Sequence, residues 1–495
     1  MSVHPIYDRL AERFARRAVL DDAQAMLHWD MAAVMPEGGA EARARQLALL
    51  KSLSHALVAD PEIKRMLDAA DSESLDDWQR ANLAEMRREW IHAAAVPGPL
   101  VDALSRAASA CDMVWRKARA ASDFVLVAPY LAEVVRLTRE VAAAKSQALG
   151  VSPYDALLDQ FEPGGRSAAI DVLFADLEAF LPGFLRDVLD RRPALPPAPT
   201  GPFPVDKQKA LGLRVMGAMG FEFDHGRLDV SEHPFCGGIP DDVRITTRYD
   251  EGDFLKSLFG VIHETGHALY ERGLPRDWRD QPVGRARSMS LHESQSLMME
   301  MQLCRSPDFI AFAQPLMAEA FGGSGPAWTV EALSAQVGRV EPGFIRVDAD
   351  EVTYPAHVIL RYRLEKALVA GEIDVQDIPA AWNEASERLL GLTPPDDRLG
   401  CLQDIHWYGG DIGYFPTYSL GAMTAAQLAE AARRENPDVQ TSLRQGDFSP
   451  MLSWLRRHVH SLGSSLSTEE ILVRATGKPL DTAAFKAHLI QRYQA

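Results

Sequence analysis

The chain has 495 residues, enough for several domains or for one large globule with subdomains. Hydrophobic residues make up 47% and charged residues 24%, a balance that excludes wholesale disorder. Lys and Arg number 52 against 69 Asp and Glu, and the resulting net charge of -17 argues against nucleic acid and anionic membrane surfaces as partners.

The first twenty residues carry a charge every few positions and lack the apolar core of a signal peptide. No run anywhere approaches the ~18 uncharged apolar residues of a spanning helix. Four scattered cysteines (Cys111, Cys236, Cys304, Cys401) form no CxxC pair and read as small buried hydrophobes in a reducing compartment. A soluble, cytoplasmic chain is expected.

Ile6, Leu10 and Phe14, four apart, predict a first helix with a buried face. Val134, Leu137, Val141 and Ala148 predict another, stopped by Gly150. Pro193, Pro196, Pro197, Pro199, Pro202 and Pro204 then crowd one stretch, too stiff and donor-poor for helix or central strand. It reads either as a domain linker or as an extended connection across one globule, with the second favoured. The whole of 1–495 is accordingly expected to be one unit, with a possible subdomain connection near 191–204. The best strand signal is Arg244 to Tyr249, alternating and rich in β-branched residues, with a turn at Asp250 to Asp253. Gly322, Gly323, Gly325 and Pro326, and later Pro394-Pro395, mark loops. Ser467-Thr468-Glu469-Glu470 before Ile471 and Leu472 is a capping box, and Gly477 and Pro479 close that helix. The fold class predicted is mainly α, with one small β-sheet in the middle of the chain.

His263-Glu264-Thr265-Gly266-His267 is the most informative stretch. Two histidines four apart on a helix share one face, a turn apart, so both imidazoles can reach one zinc-sized ion. Glu264 sits about 100° round from His263, at the edge of that face, where it can hold a water without ligating the metal. Phe254, Leu258, Val261, Ile262, Thr265 and Leu269 give the helix a continuous buried stripe. A catalytic zinc takes three protein ligands and keeps one position open. Gly273 stands where a third histidine of one common pattern would fall, and Glu271 lies about 12 Å along the axis from His263, too far for one ion. The third ligand must come from another segment. Spacing favours Glu293, in His292-Glu293-Ser294-Gln295 at the start of a new helical run, over Glu300, two turns further on, which reads as a solvated helix-surface carboxylate.

Six short motifs occur in order: His233-Pro234-Phe235; Asp242-Val243-Arg244-Ile245-Thr246; His263 to His267; His292-Glu293-Ser294-Gln295; Ile345-Arg346-Val347-Asp348-Ala349-Asp350; and Gly400-Cys401-Leu402-Gln403-Asp404-Ile405-His406-Trp407. Together they resemble the carboxypeptidase Taq family of thermostable-type metallocarboxypeptidases. Weaker similarity extends to Leu27-His28-Trp29-Asp30, to Met35 through Gly39 and to Gly413 through Tyr418. The resemblance implies a mostly helical fold, two helical halves around a deep groove with a small sheet beside the metal-binding helix. It implies a homodimer that binds one zinc or cobalt ion per chain. The implied activity is removal of C-terminal residues one at a time, with broad specificity and terminal proline disfavoured. By that likeness His263, His267 and Glu293 are the ligands and Glu264 is the catalytic carboxylate.

The mechanism expected is metal-assisted hydrolysis of peptides that have a free C-terminus, with Glu264 as general base and then acid. Tyr414, Tyr418 and His406 are candidates for stabilising the oxyanion. Arginine's planar fork suits the terminal carboxylate, and Arg346 is the favoured recogniser; its other reading is a structural arginine paired with Asp348 or Asp350. Arg244 is a weaker candidate, and His233, His406 and Tyr414 are candidate substrate contacts. The strand from Arg244 is a candidate edge for peptide addition. Two rival functions are an endo-acting oligopeptidase with the same metal chemistry and a catalytically silent peptide-binding protein.

Overall fold

Regular structure begins where the four-residue apolar spacing begins. The computed structural model describes residues 4–494; Met1 to Val3, at the head of the stretch read for a signal peptide, lie outside the described residues. Helix α1 (Pro5–Ala33) starts with proline in its first turn, where the missing N–H costs nothing. Leu10 and Phe14 on its inner face join Ile63, Leu67, Leu83 and Met86 in an apolar cluster with the three helices that follow, of which α2 is Ala40–Ala59. A larger cluster runs from Val96 to Leu489. It includes Val134 and Val141 of α3 (Phe124–Leu149); Leu137 is buried as well, whereas Ala148 emerges into solvent in the last turn before Gly150 ends the helix. Among the described residues the fold is 70% helical, with 21 α-helices and a single three-stranded sheet. No described helix is long and apolar enough to cross a membrane.

The proline-rich stretch from 192 to 204 carries no regular element. It crosses the surface with the Pro196 carbonyl accepting from Gln336 (2.9 Å) and ends where Phe203 is buried against Phe254, Phe321 and Trp328.

The sheet consists of β1 (Gly226–Val230), β2 (Phe235–Ile239) and β3 (Asp242–Thr247), in the order β1-β3-β2. The strand expected at 244–249 is β3, two residues earlier. It is central, parallel to β1 and antiparallel to β2. Both its sides are paired, so it offers no edge to a peptide, and that expectation is corrected. Its apolar side chains Val243 and Ile245 pack against Val261 and Ala268 of α4 (Phe254–Gly273), fixing the sheet to the back of that helix.

After α4 the chain turns through Pro275 and Pro282 and enters α5 (Met289–Leu297), whose N-cap Ser288 accepts from the Leu291 amide (3.2 Å). The helix widens at once into a π-helical turn, Met298–Cys304. Beyond it lie α6 (Tyr354–Ala370), α7 (Pro416–Glu435), α8 (Thr468–Thr476) with its Ser467–Glu470 capping box, and α9 (Ala483–Tyr493). Two glycines let three of these helices approach closely. A Cβ on Gly266 of α4 would lie 2.5 Å from the Gln295 carbonyl of α5, and one on Gly421 of α7 would lie 2.8 Å from the Glu293 Cγ. Helix α5 is therefore clasped between α4 and α7 at the level of Glu293.

Candidate active site

Helices α4 and α5 bring three ligand atoms together. The Nε2 atoms of His267 and His263 lie 3.4 and 3.9 Å from Glu293 Oε2, and the three ligand atoms are all within 4.8 Å of one another. The opposite nitrogens are occupied: His263 Nδ1 meets Glu300 Oε2 at 2.9 Å and His267 Nδ1 meets the His292 carbonyl at 3.2 Å. An acceptor on Nδ1 fixes the tautomer that leaves the Nε2 lone pair aimed at the cluster. Two imidazole nitrogens and one carboxylate oxygen, on largely buried side chains, are a donor set suited to one divalent cation with an open position. Glu300 is not the solvated carboxylate that its spacing suggested. The π-helical turn presses it against α4, where it is held between His263 and Arg305 (2.7 and 3.2 Å).

Burial pushes the Glu264 carboxyl up to about 7; His263 pulls against that shift and Glu293 adds to it. Burial lowers His267 to about 4, opposed by its hydrogen bond to Glu293. Burial also works against a charged His263, but Glu293 and Glu300 outweigh it and raise the ring to about 10, so a cation taking its Nε2 lone pair would displace a proton. Glu293 is held below the usual carboxylate range, since His263 and His267 together exceed its burial cost. The base candidate is thus the one carboxyl of this cluster whose proton affinity lies near neutrality.

The facing side is cationic and aromatic, and it comes from three separate segments. Arg346 is buried on a short 3₁₀ turn, with Nε and Nη2 on Asp404 Oδ1 (3.1 and 2.7 Å). Its guanidinium stands 4.8 Å from the Tyr418 ring centroid. Asp404 also receives Arg361 Nε (2.6 Å), so two guanidiniums share one carboxylate. Although buried, Asp404 is driven far below the usual range by these two cations. The pairing of Arg346 with Asp348 or Asp350 is corrected: its partner is Asp404, while Asp350 caps local backbone amides of Glu341, Val352 and Thr353. His406 Nε2 lies 3.3 Å from the Tyr418 hydroxyl, and its ring packs on Phe415 and Tyr414. Burial lowers His406 to about 4.

Residues 9–493 match the carboxypeptidase Taq (M32) metallopeptidase family. The chain belongs to this family. It is 39% identical over 509 aligned residues to thermostable carboxypeptidase 1 of Thermus thermophilus and 34% identical over 499 to carboxypeptidase 1 of Bacillus subtilis, covering 100% of this chain and 99% of each relative. Trypanosoma cruzi metallocarboxypeptidase 1 superposes with a TM-score of 0.97 at 41% identity, with full coverage of both chains. The M32 carboxypeptidase of Deinococcus radiodurans gives 0.93 at 34%, covering 99% of this chain and 100% of its own. The protein is therefore a metallocarboxypeptidase, a peptide hydrolase dependent on a divalent metal.

Within this M32 chain the sequence candidates separate into three groups. His263, Glu264, His267 and Glu293 converge on α4 and α5. Arg346, His406, Tyr414 and Tyr418 converge opposite, with Tyr414 and Tyr418 in edge contact (5.2 Å between centroids). His233 and Arg244 join neither group. His233 is exposed on the turn before β2, with its carbonyl accepting from Ser231 Oγ (2.5 Å). Arg244 is paired with Asp242 (2.6 Å) and stacked on Trp29 of α1 (4.5 Å). Tyr354, at the start of α6, was missed. Its ring stands edge-on to that of Tyr418, 6.2 Å between centroids, and burial and Glu293 raise its hydroxyl while Arg346 lowers it. It stands four residues past Asp350 of the fifth motif, and that proximity was the one available signal.

Proposed function

We propose that His263, His267 and Glu293 hold one divalent cation, zinc or cobalt, and that Glu264 serves as base and acid while single residues are released from peptide C-termini with broad specificity. The observation that carries this reading is the convergence of two Nε2 atoms and a Glu293 oxygen beside a buried carboxyl whose proton affinity is raised to about 7. When bound, the cation polarises the scissile carbonyl and acidifies a water. Glu264, one residue from the first ligand, takes that water's proton and passes it to the departing amine.

Arg346 recognises the terminal carboxylate. Asp404 neutralises one guanidinium of the Arg346–Arg361 pair, and the remaining positive charge calls for a second anion. Tyr414 and Tyr418 stay protonated, Tyr418 raised to about 12 by its burial and by Glu293 against the pull of Arg346, so they are donors to developing negative charge. His406, neutral and bonded to Tyr418, aligns that hydroxyl and faces substrate with Tyr414. His233, on its exposed turn, is available to longer peptides. The family resemblance supports a homodimer, which sedimentation of the purified chain tests, and the four scattered cysteines support a reducing, cytoplasmic setting.

The deciding experiment reads a peptide ladder by mass spectrometry, with and without a chelator. Stepwise loss of single C-terminal residues, stopped by the chelator and largely absent on the amidated peptide, is the expected result. Internal cleavage that ignores amidation would contradict the exopeptidase reading.

A further inference from the structure

The end of the α5 rod is tied down in an unusual way. A helix leaves its last four carbonyls without intrahelical partners. Here arginine side chains from distant elements take two of them. Arg492 Nη1 of α9 donates to the Met301 carbonyl (2.5 Å), and Arg433 Nη2 of α7 donates to the Gln302 carbonyl (2.8 Å). Arg492 is itself fixed by Glu351 (2.9 Å), a buried carboxylate that also receives His488 (2.6 Å) and the Tyr493 hydroxyl (3.0 Å) from α9. Helix α9 is therefore docked on the π-helical turn through a charged, partly buried contact centred on the buried Glu351, although it lies almost two hundred positions away in the chain.

That turn carries Glu300. One oxygen of Glu300 accepts from His263 Nδ1, and the other accepts from Arg305. Arg305 is in turn held by the Val337 carbonyl (3.0 Å) and lies 4.6 Å from the Phe259 ring centroid on α4. A carboxylate on the far nitrogen of a ligating imidazole orients the ring and strengthens its donor lone pair, and removing such a partner typically costs 10–100-fold in metal affinity. Three arginines from separate parts of the fold thus determine where Glu300 sits, and Glu300 determines how His263 presents Nε2.

We propose that Glu300 is a positioning residue for His263, and that helix α9, through Arg492, holds the π-helical turn in the shape that gives the site its cation affinity. The proposal rests on His263 being a ligand.

The test titrates zinc alone against a chromophoric chelator, using the full chain. Glu300→Gln, which keeps the side-chain shape, is expected to weaken zinc binding by about 10–100-fold. Arg492→Ala is expected to weaken it severalfold, and Arg492→Lys, which retains a cation beside Glu351, to recover most of that loss. Lys486→Ala is the control. It breaks the ion pair of α9 with Asp176 (2.6 Å) without touching the π-helical turn, and zinc affinity should not change. Thermal unfolding of each variant confirms that it is folded. Wild-type zinc affinity in Glu300→Gln overturns the role of Glu300. Equal losses in Arg492→Ala and Lys486→Ala overturn the role of α9, since general loosening would then account for both. Unchanged zinc binding in His263→Ala would instead remove the ligand reading beneath the proposal.

Discussion

The two sides of the site are built on opposite plans. The α4–α5 side gathers two imidazoles and three carboxylates, Glu264, Glu293 and Glu300, from neighbouring helices clasped through Gly266 and Gly421. The facing side gathers Arg346, Arg361, His406 and three tyrosines from segments spread over more than sixty residues, with Asp404 as their shared carboxylate. One side has anionic and nitrogen donors in excess and suits a cation. The other has positive charge in excess and suits the free end of a peptide. On the proposed function, a scissile bond placed between them would meet the hydrolytic groups on one flank and the proposed terminus reader on the other.

Breaking the first side has the largest expected effect. Glu264→Gln should lower kcat by roughly 10²–10⁴-fold, with metal content unchanged by elemental analysis. Retained turnover would remove Glu264 from the mechanism. Breaking the second side should be selective. Arg346→Ala should cut kcat/KM for free-acid peptides by about 10–100-fold, the range of a hydrogen bond to a charged group, and leave amidated peptides far less affected. Arg346→Lys, which keeps a cation beside Asp404, guards against simple misfolding and should fall between. Equal losses on both substrates would assign Arg346 a purely structural role.

Acid pH probes the contrast without mutation. Glu264 works as a base only when deprotonated, and its folded-state value is raised to about 7. A dication nearby favours the carboxylate, so kcat/KM should fall as pH drops through a value at or below about 7. A rate that rises on acidification through that range contradicts the assignment. The smallest effect expected is that of Tyr354→Phe. Loss of one neutral donor between the two sides is worth about 1 kcal/mol, so kcat should fall about fivefold with KM little changed.

The two sides also differ in how far the sequence disclosed them. The proposed ligands on α4 lie one turn apart, so helical periodicity alone places His263 and His267 together and Glu264 beside them. The same periodicity puts Glu293 and Glu300 on one face of the next helix; the spacing that favours Glu293 misreads Glu300 as solvated, because it carries no information on the π-helical turn or on Arg305. Opposite, spacing was silent. Asp404 pairs with Arg346 across 58 positions, a contact that only tertiary packing creates, so the nearer Asp348 and Asp350 looked like natural partners. Tyr354 carried no pattern of its own. In the fold, the helices with clean apolar stripes were legible, and so was the capping box at Ser467. The sheet was legible only in its centre: β2 reads Phe-Cys-Gly-Gly-Ile, poor in the β-branched residues that mark strands, and without it β3 looked like a free edge.

The central claim is that one cation is gripped by α4 and α5 together. Crystals grown with cobalt and measured at its absorption edge test it directly. The account predicts one anomalous peak per chain, within bonding distance of Nε2 of His263, Nε2 of His267 and the Glu293 carboxylate. A peak coordinated elsewhere, with Glu293 turned away from both imidazoles, would contradict it.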